Sequence, residues 1–287
     1  MKPKVSIAIM TYNHEEFIAD TIESCLNQTF TDFEICIGDD CSTDKTVQII
    51  KEYQKRFPKK IKLNVQFENM GKYALAINGN SAFELCEGEY IAILDGDEQM
   101  VENRLEKQVA FLDDHNEYIA VSHEKKYIDH ATGEELEKQP DYHGYQDITT
   151  QNLILEGNLF RNCYMSRNVG NMYDTSLKVM CDWECIIRLS TKGKLYFMNE
   201  RLTIKLFHDE NVTKKRIEQF HEDKLLTLAL IESKLPEYIK YVNIVRAQIY
   251  LQNIKKLNKG SLVSLFSIGI FSTIQALFFI FKRRFKK

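Results

Sequence analysis

An α/β fold on a doubly wound, mostly parallel sheet is what this sequence predicts, and three observations predict it. Short apolar runs with strand character alternate with stretches of helical spacing over residues 4–128. The spacing leaves room for a crossover helix between successive strands, which parallel pairing requires. The strand runs also end in polar or acidic residues, as in sheets that bind ligands at their carboxyl edge.

Taken in order, Val5–Tyr12 is a β-rich apolar run. Glu15–Gln28 has helical spacing, with Phe17, Ile18, Ile22, Cys25 and Leu26 on one face. Phe33–Asp39 is the next strand. Asp44 can cap a helix that runs to Arg56 and stops before Pro58. Ile61–Phe67 reads as a strand, Ala74–Cys86 as a helix and Tyr90–Leu94 as a short buried strand. Glu102–Asn116 is a helix with Leu105, Val109 and Leu112 in phase, and Ile119–Ile128 is a strand. Residues 129–180 are less regular and rich in Tyr, Asn and Asp, as substrate-facing loops often are. A helix over Cys181–Ser190 precedes two short strands, Leu195–Met198 and Thr203–Phe207. Residues 217–258 read as two helices broken at Pro236.

With 44% hydrophobic and 28% charged residues among 287, the chain can bury a core, which argues against disorder. A net charge of -3 argues against a nucleic-acid partner. The seven cysteines are scattered without a CxxC pair, so neither a disulfide framework nor a zinc site is suggested. The apolar stretch after Met1-Lys2-Pro3-Lys4 is too short and too β-like for a signal peptide, which places the expected catalytic part in the cytoplasm. Ser261–Phe281 holds 21 residues without a charge, and Lys282-Arg283-Arg284-Phe285-Lys286-Lys287 follows. Basic residues flank it on both sides, against a single span under the positive-inside tendency. The expectation is a helix lying in the inner face of the cell membrane; a helix that packs on the protein is the competing reading.

Four consecutive strand ends point polar groups at one sheet edge: Thr11-Tyr12-Asn13, Asp39-Asp40, Glu68-Asn69-Met70-Gly71 and Asp95-Gly96-Asp97-Glu98. No glycine-rich phosphate loop follows the first strand. A bound nucleotide would therefore need another source of positive charge. Asp95, Asp97 and Glu98 are hard oxygen donors of the kind that hold Mg²⁺ or Mn²⁺. A solvated acidic turn capping the next helix is the competing reading.

Together these motifs resemble family 2 inverting glycosyltransferases of the GT-A fold, like those of bacterial surface-polysaccharide synthesis. The resemblance starts in TYNHEEFI, ESCLNQTF and DFEICIGDDCSTD. It continues through Asn69-x-Gly71, Gly88-Glu89-Tyr90-Ile91, Leu94-Asp95-Gly96-Asp97, Leu105-Glu106-Lys107-Gln108 and Cys181-Asp182-Trp183-Glu184, and covers roughly residues 3–210. It implies that Tyr12 stacks on uracil beside Thr11 and Asn13, and that Asp39 accepts a hydrogen bond from the base. It further implies a nucleotide role for Asn69, Gly71 and Asp95. Asp97 would bind Mn²⁺ or Mg²⁺, joined by His208, and Asp182 would be the catalytic base. Many members carry Asp where this chain has Glu98, and Glu where it has Cys181. Glu184 is the rival base, but on a helix it points away from Asp182.

The implied organisation is a GT-A catalytic domain over 1–215, its nucleotide half about 1–128 and its acceptor half about 129–215. A helical extension over 216–259 and the apolar helix with basic tail over 260–287 follow. The implied partners are a nucleotide-sugar donor, a glycan or lipid-linked acceptor and the membrane surface. Two rivals are a nucleotidyltransferase, which would normally show a glycine-rich basic loop after the first strand, and a non-catalytic nucleotide-binding protein.

Overall fold

The structure is a computed structural model and describes residues 2–137, 146–157, 160, 163–170, 172–208 and 217–254. Its first half follows the expected alternation. β1 (Val5–Thr11), α1 (Ile18–Leu26), β2 (Phe33–Asp39), α2 (Thr46–Arg56) and β3 (Ile61–Val65) come first. A 3₁₀ turn (Gly71–Tyr73) leads into α3 (Ala74–Phe83), then β4 (Tyr90–Asp95), β5 (Glu98–Met100), α4 (Arg104–Asp114) and β6 (Tyr118–Asp129). β7 (Asp147–Ile148), α5 (Thr150–Glu156), β8 (Tyr164–Arg167), α6 (Cys181–Ser190) and β9 (Lys194–Phe207) follow. α7 (Ile217–Lys234) and α8 (Ile239–Ile254) close the described chain, with a 3₁₀ turn at Pro236–Tyr238 between them.

The strands form one sheet in the order β3-β2-β1-β4-β8-β6-β9-β5, with β7 also paired to β9. β1 pairs in parallel with both β2 and β4, and β2 with β3. Chain order reverses at β1, which makes the crevice between the ends of β1 and β4 the topological switch point. β6 and β9 form another long parallel ladder, while the antiparallel pairings of β8, β5 and β7 are short. All seven residues of β1 and of β2 are buried, as expected of strands covered on both faces.

Two apolar cores result, one per face. Val5, Ile7 and Ile9 pack with Ile18, Ile22, Ile50, Leu105 and Val109 of α1, α2 and α4. Ala8, Met10, Ile91 and Ile93 pack on the other face with α3, α5 and α6, and Leu228, Ile231, Val242 and Val245 of α7 and α8 join that core. Trp183 lies in it, fully buried, its indole N–H donating to the Leu153 carbonyl at 2.9 Å. Arg104 is also fully buried and ties α4 to the sheet. It donates to the Ile93 carbonyl (2.8 Å), Thr203 Oγ1 (3.1 Å) and Gln108 Oε1 (3.1 Å).

The departures from expectation have local causes. α1 starts at Ile18 rather than Glu15, after a turn in which the His14 carbonyl accepts from Phe17 and Ile18 N–H, and the backbone before it is pinned to the loop that follows β2. His14 N–H donates to Thr46 Oγ1 (2.8 Å) and Glu15 N–H to Asp44 Oδ2 (3.0 Å). Asp44 does serve α2, accepting from Thr46 N–H at 2.9 Å. The two strands expected near the end are one, β9, whose register against β6 shifts around His123 and Glu124. β5, β7, α5 and β8 are too short, at 3, 2, 7 and 4 residues, to show a period in sequence. No described helix is long and apolar enough to cross a membrane. The stretch 261–281, on which the membrane expectation falls, lies outside the described residues.

α3 can approach β2 closely because Gly38 has no side chain. A Cβ there would stand 2.5 Å from the Asn78 carbonyl oxygen and 2.6 Å from Ser81 Oγ. Gly38→Ala should therefore destabilise the fold by about 1–3 kcal/mol, the usual cost of overpacking. A lowered urea midpoint at unchanged slope is the expected reading, and an unshifted midpoint would contradict the packing described.

Candidate active site

The site grows from the carboxyl edge at the switch point. β1 ends in Thr11, whose carbonyl accepts from Asp40 N–H (3.1 Å) and Asn78 Nδ2 (3.1 Å). Tyr12 follows and is 41% exposed, so its ring is open to a ligand. Asn13 takes a left-handed φ of 50° and locks the β2–α2 loop. Its N–H donates to Ser42 Oγ (2.8 Å), and its Oδ1 accepts from Thr43 N–H (2.8 Å).

The two acids ending β2 face different tasks. Asp39, fully buried, accepts from Ser42 N–H (2.8 Å) and Ser42 Oγ (2.5 Å). Burial pushes its carboxyl above the usual range despite those bonds. Asp40 holds the loop after β3, accepting from Asn69 Nδ2 (2.8 Å) and Met70 N–H (3.0 Å). Asn69 Oδ1 in turn accepts from Gly71 N–H (2.9 Å). The Asn69 amide is thus a loop brace. Gly71, at φ 58°, has no atom within 4 Å of where a Cβ would stand, so its backbone is open to an approaching ligand.

The Asp95-Gly96-Asp97 turn is pinned through its glycine. Gly96 N–H donates to the Met10 carbonyl (2.9 Å), and its carbonyl accepts from Thr21 Oγ1 (3.0 Å). A Cβ on Gly96 would lie 2.8 Å from both Thr11 and His14. Asp97 meets His208, the residue after β9, at 2.9 Å between Oδ2 and Nε2. Phe17 stacks on the His208 ring with centroids 4.5 Å apart. Burial acts to raise the Asp97 carboxyl, but the His208 bond and the charges of Lys205 and His14 win and hold it well below the ordinary range. Asp95 goes the other way, pushed up to about 7 by burial and by the charge of Glu98, against the pull of Lys205 and Lys125.

Glu98 corrects one expectation. Its carboxylate is fully buried and accepts from Lys125 Nζ at 2.7 and 2.9 Å and from Lys205 Nζ at 2.8 Å. Burial opposes its ionisation and the two lysines outweigh burial, so its pKa stays below the ordinary value. Both lysines thus engage it, where the sequence suggested a cation donor. Sequence reasoning missed both lysines, and also His14, whose Nδ1 lies 3.2 Å from Thr11 Oγ1. The available signal was a lysine inside each predicted strand, at 125 and 205, where a buried cation demands an anion.

Among the described residues, no three His, Cys, Asp or Glu side chains converge as a metal cage. Asp97 and His208 offer two donors. That suits Mg²⁺ or Mn²⁺, which commonly take one or two protein ligands and leave positions for phosphate oxygens. The 2.9 Å between their donor atoms is about the spacing of two adjacent ligands around an octahedral ion at ~2.1 Å. The residues present therefore fit the implied cation.

Asp182 reaches the same edge from the other half. β9 starts at Lys194 beside Tyr118, the start of β6, so α6 descends from the carboxyl edge and its N-terminus lies there. Asp182 sits half-buried in the first turn, with Oδ1 accepting from Trp183 N–H (2.8 Å). The helix cap is Met180, not Asp182. Glu184, the rival base in the sequence, is 3% exposed and paired with Arg188 at 3.2 Å.

A family model, Glycosyl transferase family 2, matches residues 6–168. EpsE of Bacillus subtilis (strain 168), a provisionally assigned glycosyltransferase, is 41% identical over 119 residues, which are 42% of this chain and 42% of EpsE. Chondroitin synthase of Escherichia coli is 26% identical over 223 residues, 75% of this chain and 31% of that enzyme. The matched stretch thus spans less than half the length of either relative. Residues 1–349 of S. aureus TarS, solved in complex with UDP-GlcNAc, superpose with a TM-score of 0.68 at 19% identity, covering 96% of this chain and 81% of that one. This last likeness establishes the shared fold.

The acids in the turn should separate by experiment. Glu98→Gln leaves Lys125 buried without its full counter-charge and should cost about 3–5 kcal/mol of stability. Asp97→Asn should cost far less, because the amide keeps an oxygen that can meet His208 Nε2, yet it should weaken Mn²⁺ binding. Urea melts and calorimetric Mn²⁺ titrations distinguish the two. Equal loss of Mn²⁺ binding in both variants would return Glu98 to the metal site.

Proposed function

The chain belongs to glycosyl transferase family 2, and from that premise we propose that it moves a sugar from a UDP-sugar to a hydroxyl of a lipid-linked or surface glycan, inverting the anomeric carbon. One observation carries the reading. Asp39, Asp95 and the Asp97–His208 pair stand on the strand ends around the switch point, with no glycine-rich phosphate loop beside them. The UDP-GlcNAc complex of TarS supports the donor class, and chondroitin synthase, a polysaccharide-forming relative by name, supports the acceptor class.

In this reading the exposed Tyr12 ring stacks on uracil, between Thr11 and Asn13. Asp39, oriented by its two bonds from Ser42, accepts the N–H of the base. The Asn69–Gly71 turn, braced by Asp40, walls the nucleotide on the β3 side. Asp95 faces the ribose and diphosphate. Asp97 and His208 would hold Mn²⁺ or Mg²⁺, which supplies positive charge to the departing diphosphate. Asp182 takes the proton from the acceptor hydroxyl as that oxygen attacks the sugar, and carboxylates placed this way serve as general bases. Single displacement needs no covalent intermediate. The uncharged stretch 261–281 and the basic residues after it hold the enzyme at the cytoplasmic face of the membrane, at about 1 kcal/mol per basic residue near an anionic surface.

The test is metal-dependent UDP release from a panel of UDP-sugars, with crude lipid-linked glycans as acceptor. Asp97→Ala should abolish turnover, and full activity in that variant would remove the central claim. Asp182→Asn should keep UDP affinity and lose transfer; retained transfer would place the base elsewhere. Nucleotide binding without turnover for any donor would make the chain a binding protein instead. Deleting residues 261–287 should release it from anionic vesicles, and continued co-sedimentation would refute the anchor.

A further inference from the structure

α6 has a poor beginning of its own. Its cap position is Met180, which offers no side-chain acceptor, and the helix shows no local side-chain cap. The backbone that leads into the helix is held from α7 instead. Asp223, 1% exposed, accepts three backbone N–H groups on Oδ2: Lys178 at 2.7 Å, Val179 at 2.6 Å and Met180 at 3.1 Å. Met180 and Asp223 are 43 residues apart in sequence. An anion at a helix N-terminus is favoured by the exposed N–H groups and by the helix dipole. Three convergent donors on one carboxylate oxygen fix the turn far more tightly than a single cap would.

The same helix grips the segment at further points. Lys178 pairs with Glu222 at 2.5 Å. Lys234, three turns along α7, reaches Asp174 at 3.1 Å and Glu184 at 3.8 Å. The stretch from Asp174 to Glu184 is thus strapped along α7, and Asp182 lies within it, two residues beyond the turn that Asp223 holds.

We infer that Asp223 is a positioning residue for the acceptor half of the site: from the C-terminal helices it sets the place of Asp182 at the sheet edge. The inference rests on the reading of Asp182 as the base. A displacement of about 1 Å in a reacting group can cost on the order of 10²-fold in rate, so the strap matters to chemistry and not only to folding. The nucleotide half, on β1, β2 and β4, has no part in it.

The experiment uses the full chain and the donor identified by the UDP-release screen. Asp223→Asn removes the charge and presents an amide to three converging donors. Transfer kcat should fall on the order of 10²-fold, while UDP affinity and donor KM stay unchanged. The fluorescence of Trp183, the only tryptophan, should shift as the turn relaxes. In an Asp182→Asn background, Asp223→Asn should bring no further loss of kcat, because residues acting as a unit are non-additive. An additional loss there, or full kcat in the single variant, overturns the inference. If Asp223→Asn does not fold, Asp223→Glu keeps the charge, moves the carboxylate by one methylene and is read in the same way. The two readings fail differently. Loss of transfer in Asp182→Asn with none in Asp223→Asn removes the positioning role alone. Retained transfer in Asp182→Asn removes the base, and the positioning role with it.

Discussion

A carboxylate with no solvent contact must be neutralised where it stands, and Glu98 is neutralised by Lys125 from β6 and Lys205 from β9. Glu98 and Lys205 are direct cross-strand partners in the β5–β9 pair. This charge triad fastens the three-residue β5 to the far side of the sheet. It also divides the acids of one short turn into separate jobs. Glu98 is held between the two lysines, while Asp97 pairs with His208. Lys205 stands 4.0 Å from Asp95, so the charge of the triad also reaches that acid.

The division shapes the electrostatics of the crevice. Asp97 is held ionised beside His208, whereas Asp95, crowded by burial and by Glu98, is pushed towards neutrality. A cation placed there would favour both ionised forms. The absence of a glycine-rich loop is consistent with this arrangement, because a metal can do for a diphosphate what backbone N–H groups do elsewhere. Gly96 serves a different purpose in the turn. It lets the acids sit directly against Thr11 and His14, joining the end of β4 to the end of β1.

The parallel strands and their helices were legible because continuous apolar runs and helical periods are properties of neighbouring residues. Val5–Thr11, Phe33–Asp39 and Thr46–Arg56 emerge from such local patterns. The acids at the strand ends were legible for the same reason: a strand that stops at Asp39 or Asp95 presents its last side chain at the sheet edge. β5, β7 and β8 were not, since two to four residues carry no period and pair only once distant strands arrive.

The sequence by itself determined the fold class, the edge at which the candidate site lies and the candidacy of Asp39, Asp95, Asp97, Asp182 and His208, because these follow from local pattern and motif order. Only the tertiary structure decided which partners each acid meets. Glu98 is consumed by two lysines, Asp40 by a loop, Glu184 by Arg188, and Asp223 by the turn before Asp182. The reason is physical: whether a carboxylate binds a ligand or braces the fold depends on partners that fold next to it from tens of residues away, and no local pattern records them.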